Sequence, residues 1–559
     1  MPPPDRKSAQ VIRWNRDSAV PEFVTTPSRL LVLLYRGFSL DPSELSRLAE
    51  SSPSHSPEVL LALAYRRLGV DVTKRLIGPC TFVLWDGERE LLLAASDPQG
   101  YFPLYFREDA REIAVAAEVE PLADLTLDGI DRTAIAAHVC GLAPPPGSSF
   151  FRGVHTLTPG TLLTVRRESI RVDQIQGGAR GSRLRQEKKA SEQLRETLLS
   201  VVPEYVPEDA PVGITLSSGL DSTCVAASLR AARPTARIVA FVWTARSVPS
   251  ADESAPALRT ARSLGMETVE IAMDEHAPLS TPEGILPTLG SPLYNIYSPA
   301  WRETFRVSRE LNVRLLLTGQ AGDFAFGSVF PFADLFLTGR WLRLAREIRA
   351  YRARVDVDVP WLIRYRVLGR AARWFWPIST MAPPGWLGDG LRELVPRPPS
   401  SHRFALPGDR ERRLMLENPR RLAATAALTA EGLEYGVELR YPLIDSRVVD
   451  FARRTPAVWT FADGYSKALV RRAMRGLLPD EILDRPEKIY PTEVFLRALR
   501  GSGRSKIEPL LSNMVAADLG FVEPNALRKA VEDCAQGRWR GAMFWHSLTL
   551  EAWLRRLPR

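Results

Sequence analysis

Two hydrophobic rhythms run along this chain, and they change over near residue 180. Through residue 173, short apolar runs are separated by Gly, Asp and Pro turns. Residues 30–34, 81–86, 90–95, 104–106 and 112–117 read as strands. Pro57–Leu68 reads as a helix with proline in its first turn. A polar Gly/Arg/Lys-rich stretch, residues 174–189, has little to bury and is expected to be a linker. Beyond it, helical and apolar segments alternate: a helix at 190–202, a strand at 212–216, a helix at 222–232 and a strand at 238–242. A helix at 254–264, a strand at 268–272, a helix at 301–311 and a strand at 313–317 follow. Strands apolar on both faces, alternating with helices, predict βαβ units and a doubly wound parallel sheet. Ligands of such sheets sit beyond the carboxyl ends of the strands. Residues 330–384 are rich in Arg and Trp and read either as a lid or peptide-docking surface or as an amphipathic helical insertion, which extends to about residue 405. The remainder reads as mostly helical.

Composition narrows the picture only slightly. The 559 residues suit two or three domains. The formal charge of +9 is spread along the chain, without a Lys/Arg block, which speaks for anionic ligands and against nucleic acid. The four cysteines, Cys80, Cys140, Cys224 and Cys534, have no metal-ligand spacing and suit a reducing cytoplasm. No stretch reads as a signal peptide or a membrane span.

The chemistry concentrates in two loops. Leu216, Ser217, Ser218, Gly219, Leu220, Asp221 and Ser222 follow an apolar strand and open a helix. The first N–H groups of a helix lack internal partners and lie at its positive pole, so they attract anions. Small residues let the backbone approach a phosphate, and Ser hydroxyls add donors. Phosphates would repel Asp221 unless Mg2+ lay between them, so this aspartate implies a metal. The simpler alternative is a Ser or Asp capping a helix. The second loop, Thr318-Gly319-Gln320-Ala321-Gly322-Asp323, also follows an apolar strand. Asp323 would reach the same sheet edge, where two carboxylates can share Mg2+. Alone, this loop is also an ordinary Gly/Asp turn.

The first loop resembles the pyrophosphate loop of the N-type ATP pyrophosphatases of the asparagine synthetase type. The second resembles that family's T/S-G-x-G-x-D-E segment, with Phe324 in place of the final Glu. The segment from Gly436 to Asp445 resembles its G-V-E-x-R-x-P-F-L-D. Lys467 to Arg471, Leu478 to Ile482 and Arg485 to Lys488 resemble its K-x-x-L-R, L-P-x-x-I and R-x-K segments, with one extra residue before Lys488. Residues 78–105 resemble the family's glutaminase domain. The resemblance implies an α/β chain with an N-terminal glutaminase-like (Ntn-type) β-rich α+β domain over 1–173, then a synthetase-like ATP-binding domain over 190–559.

It also implies an activity: ATP and Mg2+ adenylate a carboxylate, pyrophosphate leaves, and an amine attacks. Residues 216–222, Gly319 and Gln320 would hold the nucleotide, and Asp221 and Asp323 the metal. Lys488 would be the catalytic lysine, with Lys467 as the alternative, and Glu411 the general base. The Tyr–Glu pair of lactam-forming relatives does not carry over, because Gln320 stands where the Tyr falls. A working glutaminase uses an N-terminal Cys; position 2 is Pro2, so the glutaminase-like domain is expected to be vestigial, and the amine to come from the substrate. Among relatives of that kind, residues 336–341 and the tail from Leu519 to Arg555 look like lasso peptide cyclases, which close a macrolactam on a ribosomal core peptide. A leader peptidase and a leader-binding protein would then be partners. Asparagine synthetase-like and β-lactam synthetase-like ligases are the alternatives, followed by a non-catalytic nucleotide-binding scaffold.

Overall fold

The computed structural model describes residues 11–15, 30–37, 44–52, 55–76, 78–167, 169–175, 183–208, 210–277, 279, 288–292, 295–320, 322–327, 331–375, 382–396, 406–416, 419–485, 491–501, 503–538 and 543–558. Two antiparallel sheets build the N-terminal part. One orders Leu30–Gly37, Cys80–Asp86, Leu91–Ala95, Thr161–Arg166 and Ser169–Gln174; the other orders Ile12–Asn15, Glu112–Ala116, Leu104–Glu108 and Val154–Leu157. Between them Val83, Trp85, Leu92 and Ala94 meet Trp14, Ile113 and Val115, with Trp14 and Trp85 packed edge-on at 5.0 Å. Helices Glu44–Ala49 and Pro57–Leu68 cover the outer face of the first sheet, and Arg132–Val139 covers Ala114 and Ala116 of the second. The result is four layers, helix on sheet on sheet on helix. The two central strands Cys80–Asp86 and Leu91–Ala95 are buried at every position, as strands covered on both faces must be.

The second part is a five-stranded parallel sheet ordered Glu267–Ala272, Ile238–Thr244, Val212–Thr215, Leu315–Thr318, Glu438–Arg440. The order reverses at Val212–Thr215, where such sheets bind ligands. Thr215 and Thr318 are register partners, so both chemistry-bearing loops leave the sheet side by side. The alternation of strands and helices expected from sequence is present over residues 187–318. Its first helix starts at Glu187, three residues into the expected linker, because Ala190, Leu194, Leu198 and Val201 form one buried stripe that carries the turn before it.

Residues 332–375 form helices Phe332–Leu337, Trp341–Arg352 and Gly369–Phe375, with a wider helical turn at Leu362–Leu368. Phe332, Leu335, Leu344, Leu362 and Val367 pack into the core of the second part, while Trp341 stays 65% exposed and Leu342 91% exposed. The insertion is therefore amphipathic and packed, yet it keeps an apolar outer face. The C-terminal helices fold back on the first part: Trp553 packs against Phe150 and Phe151, and the His138 ring lies 3.0 Å from the His546 carbonyl.

Candidate active site

The 13-residue helix Leu220–Ala232 begins at Gly219, a residue in extended conformation with no side chain to offer its orphan N–H groups. The simple Ser/Asp cap considered from sequence is therefore not the arrangement. The loop braces itself instead. Ser217 N donates to Ser222 Oγ at 3.1 Å, and Gly219 N donates to Ser217 Oγ at 3.1 Å. Ser218 Oγ donates to Glu253 at 2.6 Å and receives a bond from Arg485. Ser218, Leu220, Asp221 and Ser222 are all buried, and Leu216 anchors the loop in the core.

Glycine at 319 and 322 lets the second loop lie against the first. A Cβ at Gly319 would overlap Ser222 N and come within 2.6 Å of the Asp221 carbonyl carbon. A Cβ at Gly322 would overlap the Asp221 carboxyl group. Gln320 is half-buried, its N–H donating to Thr318 Oγ1 at 3.1 Å.

Asp221 and Asp323 converge on one cation. Lys467 Nζ lies 2.6 and 2.7 Å from the two Asp221 oxygens and 2.6 Å from Asp323 Oδ1. Burial by itself would push the lysine down. The two carboxylates reverse that and hold it above the ordinary lysine range. Its backbone is left-handed, φ +54°, at the end of the hairpin formed by strands Phe461–Ala462 and Tyr465–Ser466. Lys467 thus stands where a divalent cation would be shared. The two carboxylates and the nearby Ser217 and Ser222 hydroxyls are oxygen groups of the kind Mg2+ takes, and the seated ammonium shows that this place accepts positive charge.

Glu411 lies outside this cluster of contacts. It sits on helix Pro407–Leu416, which packs against Gly322–Phe326, and Arg370 of the insertion grips it through both guanidinium nitrogens. Lys488 lies outside the described residues. The structure adds Glu253 and Arg485, both bonded to Ser218; Arg485 had a signal in its place within the R-x-K segment, whereas nothing in the sequence marks Glu253. The segment from Gly436 to Asp445 acts as scaffold. It supplies the last strand of the sheet, and buried Asp445 caps helix Ser446–Arg454 and binds Arg447 at 3.0 Å.

Comparison with known proteins agrees with this layout. Residues 193–555 match the asparagine synthase family model, and residues 43–175 match the glutamine amidotransferase domain model. The chain is 26% identical to a Mycobacterium tuberculosis protein provisionally named asparagine synthetase (glutamine-hydrolyzing), over 79% of this chain and 71% of that one. It is 22% identical to asparagine synthetase (glutamine-hydrolyzing) 1 of Bacillus subtilis, over 88% and 81%. It is 29% identical to amidase chyE of Penicillium rubens, over 50% and 44%. A solved B. subtilis glutamine phosphoribosylpyrophosphate amidotransferase overlaps 52% of this chain and 71% of its own at 13% identity, with a TM-score of 0.20, too loose a likeness to bear any argument. With its family match spanning well over half of its length, the chain belongs to the asparagine synthase family.

Proposed function

We propose that the chain is an AMP-forming, ATP-dependent ligase of C–N bonds that adenylates a carboxylate beyond the carboxyl edge of the parallel sheet. The observation that carries this reading is the convergence of Asp221 and Asp323 on a single cation position at the mouth of an uncapped helix. A substrate carboxylate oxygen attacks the α-phosphorus, and the bond to the bridging oxygen of the β-phosphate breaks. The departing pyrophosphate needs positive charge. The N–H groups of Leu220 to Ser222, the Ser217 and Ser222 hydroxyls and the Lys467 ammonium are disposed to supply it, with Lys488 as a further cation. Asp221 and Asp323 would hold Mg2+, which supplies charge neutralisation on the phosphates when bound. The amine then attacks the acyl carbon, AMP leaves with its electron pair, and the amine gives up a proton. We assign that proton to Glu411, whose carboxylate Arg370 fixes in place.

For the substrate we propose an Asp or Glu side chain of a ribosomally made core peptide, closed into a macrolactam by the peptide's own α-amine, as lasso peptide cyclases do. Two observations support an amine already on the substrate and a peptide beside the site. All four cysteines are buried, and desolvation pushes the Cys140 thiol up to about 11, so none is poised to hydrolyse glutamine. The Arg-rich insertion presents Trp361 and Tyr365 with ring centres 5.6 Å apart and planes tilted by 40°, with Arg366 over the indole. The second reading, an asparagine synthetase-like ligase of a small acid, is favoured by the names of the relatives.

Pyrophosphate release separates these readings. With ATP, Mg2+ and a candidate core peptide, a cyclase gives pyrophosphate and a product lighter by one water. Pyrophosphate with aspartate and ammonia, and none with peptides, supports the second reading. Asp221→Ala is expected to abolish pyrophosphate release; full turnover in that variant would remove the metal assignment.

A further inference from the structure

Lys467 keeps a left-handed backbone, which a non-glycine residue holds only where its surroundings dictate it. Those surroundings include the insertion. The hairpin that ends at Lys467 pairs Phe461 with Ser466 and Ala462 with Tyr465 across the two-residue turn Asp463-Gly464. Both turn residues have positive φ, +54° and +80°, as the tightest hairpin turns require. Helix Trp341–Arg352 bears directly on that turn. A Cβ at Gly464 would come within 2.6 Å of the Ala350 carbonyl group and 2.8 Å of Tyr351 N, so backbone lies on backbone. Three residues earlier on the same face of that helix, Glu347 Oε2 accepts from Gly464 N at 3.2 Å. Around this bond Tyr351 meets the Phe461 ring at 5.8 Å and Phe332 meets it at 5.1 Å. Arg354 Cζ lies 4.3 Å from the centre of the Tyr465 ring. The insertion therefore holds both strands of the hairpin as well as its turn.

Glu347 gains little stability from this arrangement. It is 1% exposed, and its Oε1 has no hydrogen-bond partner among the described residues. The Arg346 guanidinium stands off at 3.7 Å on a side chain that is 70% exposed. A buried carboxyl group with one donor is a weaker source of stability than an apolar side chain of the same length. What it does secure is the place of Gly464, three residues before Lys467.

We propose that Glu347 is a positioning residue for Lys467. By holding Gly464 it fixes the backbone from which the Lys467 ammonium reaches Asp221, Asp323 and the departing pyrophosphate. The insertion then acts on the ATP site through the hairpin. This rests on the reading of Lys467 as a donor of positive charge to pyrophosphate.

Calorimetric titration of the full chain with pyrophosphate and Mg2+ tests this without any carboxylate substrate. Lys467→Met is expected to weaken pyrophosphate binding about thirtyfold, as the loss of one charged hydrogen bond does. Glu347→Met keeps the length of the side chain, removes the acceptor and is expected to weaken binding about tenfold. Glu347→Gln keeps an acceptor oxygen and is expected to weaken it by less than about twofold. In the Lys467→Met background Glu347→Met is expected to change nothing further, because a residue that acts through Lys467 has no effect once the ammonium is gone. Arg354→Ala, on an exposed side chain, repeats the cycle with an effect of about threefold and keeps the test open if Glu347→Met misfolds. Effects of either variant that multiply with that of Lys467→Met overturn the proposal, since a general loosening of the fold acts beside Lys467 rather than through it. So does unchanged binding in folded Glu347→Met or, where that variant misfolds, in Arg354→Ala. Unchanged binding in Lys467→Met instead removes the reading of Lys467 itself, and the positioning role with it.

Discussion

Lys467 bears the tightest constraint of any single residue in the site. It holds a left-handed backbone, which costs a non-glycine residue about 1 kcal/mol, and in return reaches two carboxylates at once. Its removal takes the ammonium they share away from Asp221 and Asp323. Lys467→Met is therefore expected to lower stability by about 3 kcal/mol in metal-free buffer, less than a fully buried pair would lose because Asp323 is partly exposed. Adding Mg2+ should restore part of that loss, whereas thermal melting that ignores both the substitution and Mg2+ would contradict the shared-cation reading. Asp97 is the second residue under strain. Fully buried, it accepts from Gln99 N at 2.9 Å and from the N–H groups of Tyr101 and Phe102. Desolvation pushes its carboxyl up to about 7 against those bonds. Its unfolded value is about 3.9, so the folded state holds the proton more tightly. The stability it contributes is complete below pH about 4 and is lost as pH rises through about 7, by at most about 4 kcal/mol. Urea denaturation from pH 4.5 to pH 8 (roughly the span between those two values) should show this decline, and Asp97→Asn should flatten it. An equal slope in both proteins would place the titrating group elsewhere.

At the scale of elements, the two loops form one device made by contact across the central strand pair. Gly319 packs on the Ser222 backbone, so Gly319→Ala must separate the loops or displace the start of helix Leu220–Ala232. We expect a loss of about 2–3 kcal/mol, as in overpacked cores, and a larger fall in kcal/mol-equivalent pyrophosphate release, because the orphan N–H groups move with the helix. A stable variant with unchanged turnover would show that the contact is dispensable. These loops were legible in the sequence because each follows an apolar run that can only be a buried strand, and because Ser, Gly and Asp cluster there. Other elements were not. Helix Arg132–Val139 is buried over six consecutive positions, Ala134 to Val139, so it has no polar face to mark a helical period. Strand Ser169–Gln174 is the opposite, an edge strand with no buried position, and strand Glu438–Arg440 has only three residues. The ion pair of Asp221 and Lys467 spans 246 residues of sequence, a distance over which no local pattern reports. Nothing in the sequence around Glu411 reports its grip by Arg370.

Across the whole molecule, the N-terminal part is joined to the synthetase part through a shared buried seam, so it supports the fold whatever chemistry it performs. At the centre of that seam Tyr101 reaches out of the Asp97 turn to Tyr441, the residue that follows the last strand of the parallel sheet. Its hydroxyl donates to the Tyr441 carbonyl at 2.9 Å and accepts from Tyr441 N at 2.8 Å, and the two rings meet edge-on at 5.1 Å. Both tyrosines are fully buried, so no solvent replaces those bonds, and burial pushes the Tyr101 hydroxyl well above its usual range. Tyr101→Phe keeps the ring contact but strands the buried Tyr441 N–H, while the Tyr441 carbonyl keeps its bond from Ile444 N at 3.1 Å, so the loss is about 1–3 kcal/mol. The Tyr441 backbone leads through Pro442–Ile444 into buried Asp445, which holds Tyr205 and Arg447. The loss should therefore spread to the sheet edge rather than stay at the seam. Hydrogen exchange is the measurement that tells these outcomes apart. Faster exchange at Tyr441 together with residues 438–445 would mean the seam supports the sheet, while an effect confined to residues 97–105 would mean the N-terminal part rests on the synthetase part without bracing it.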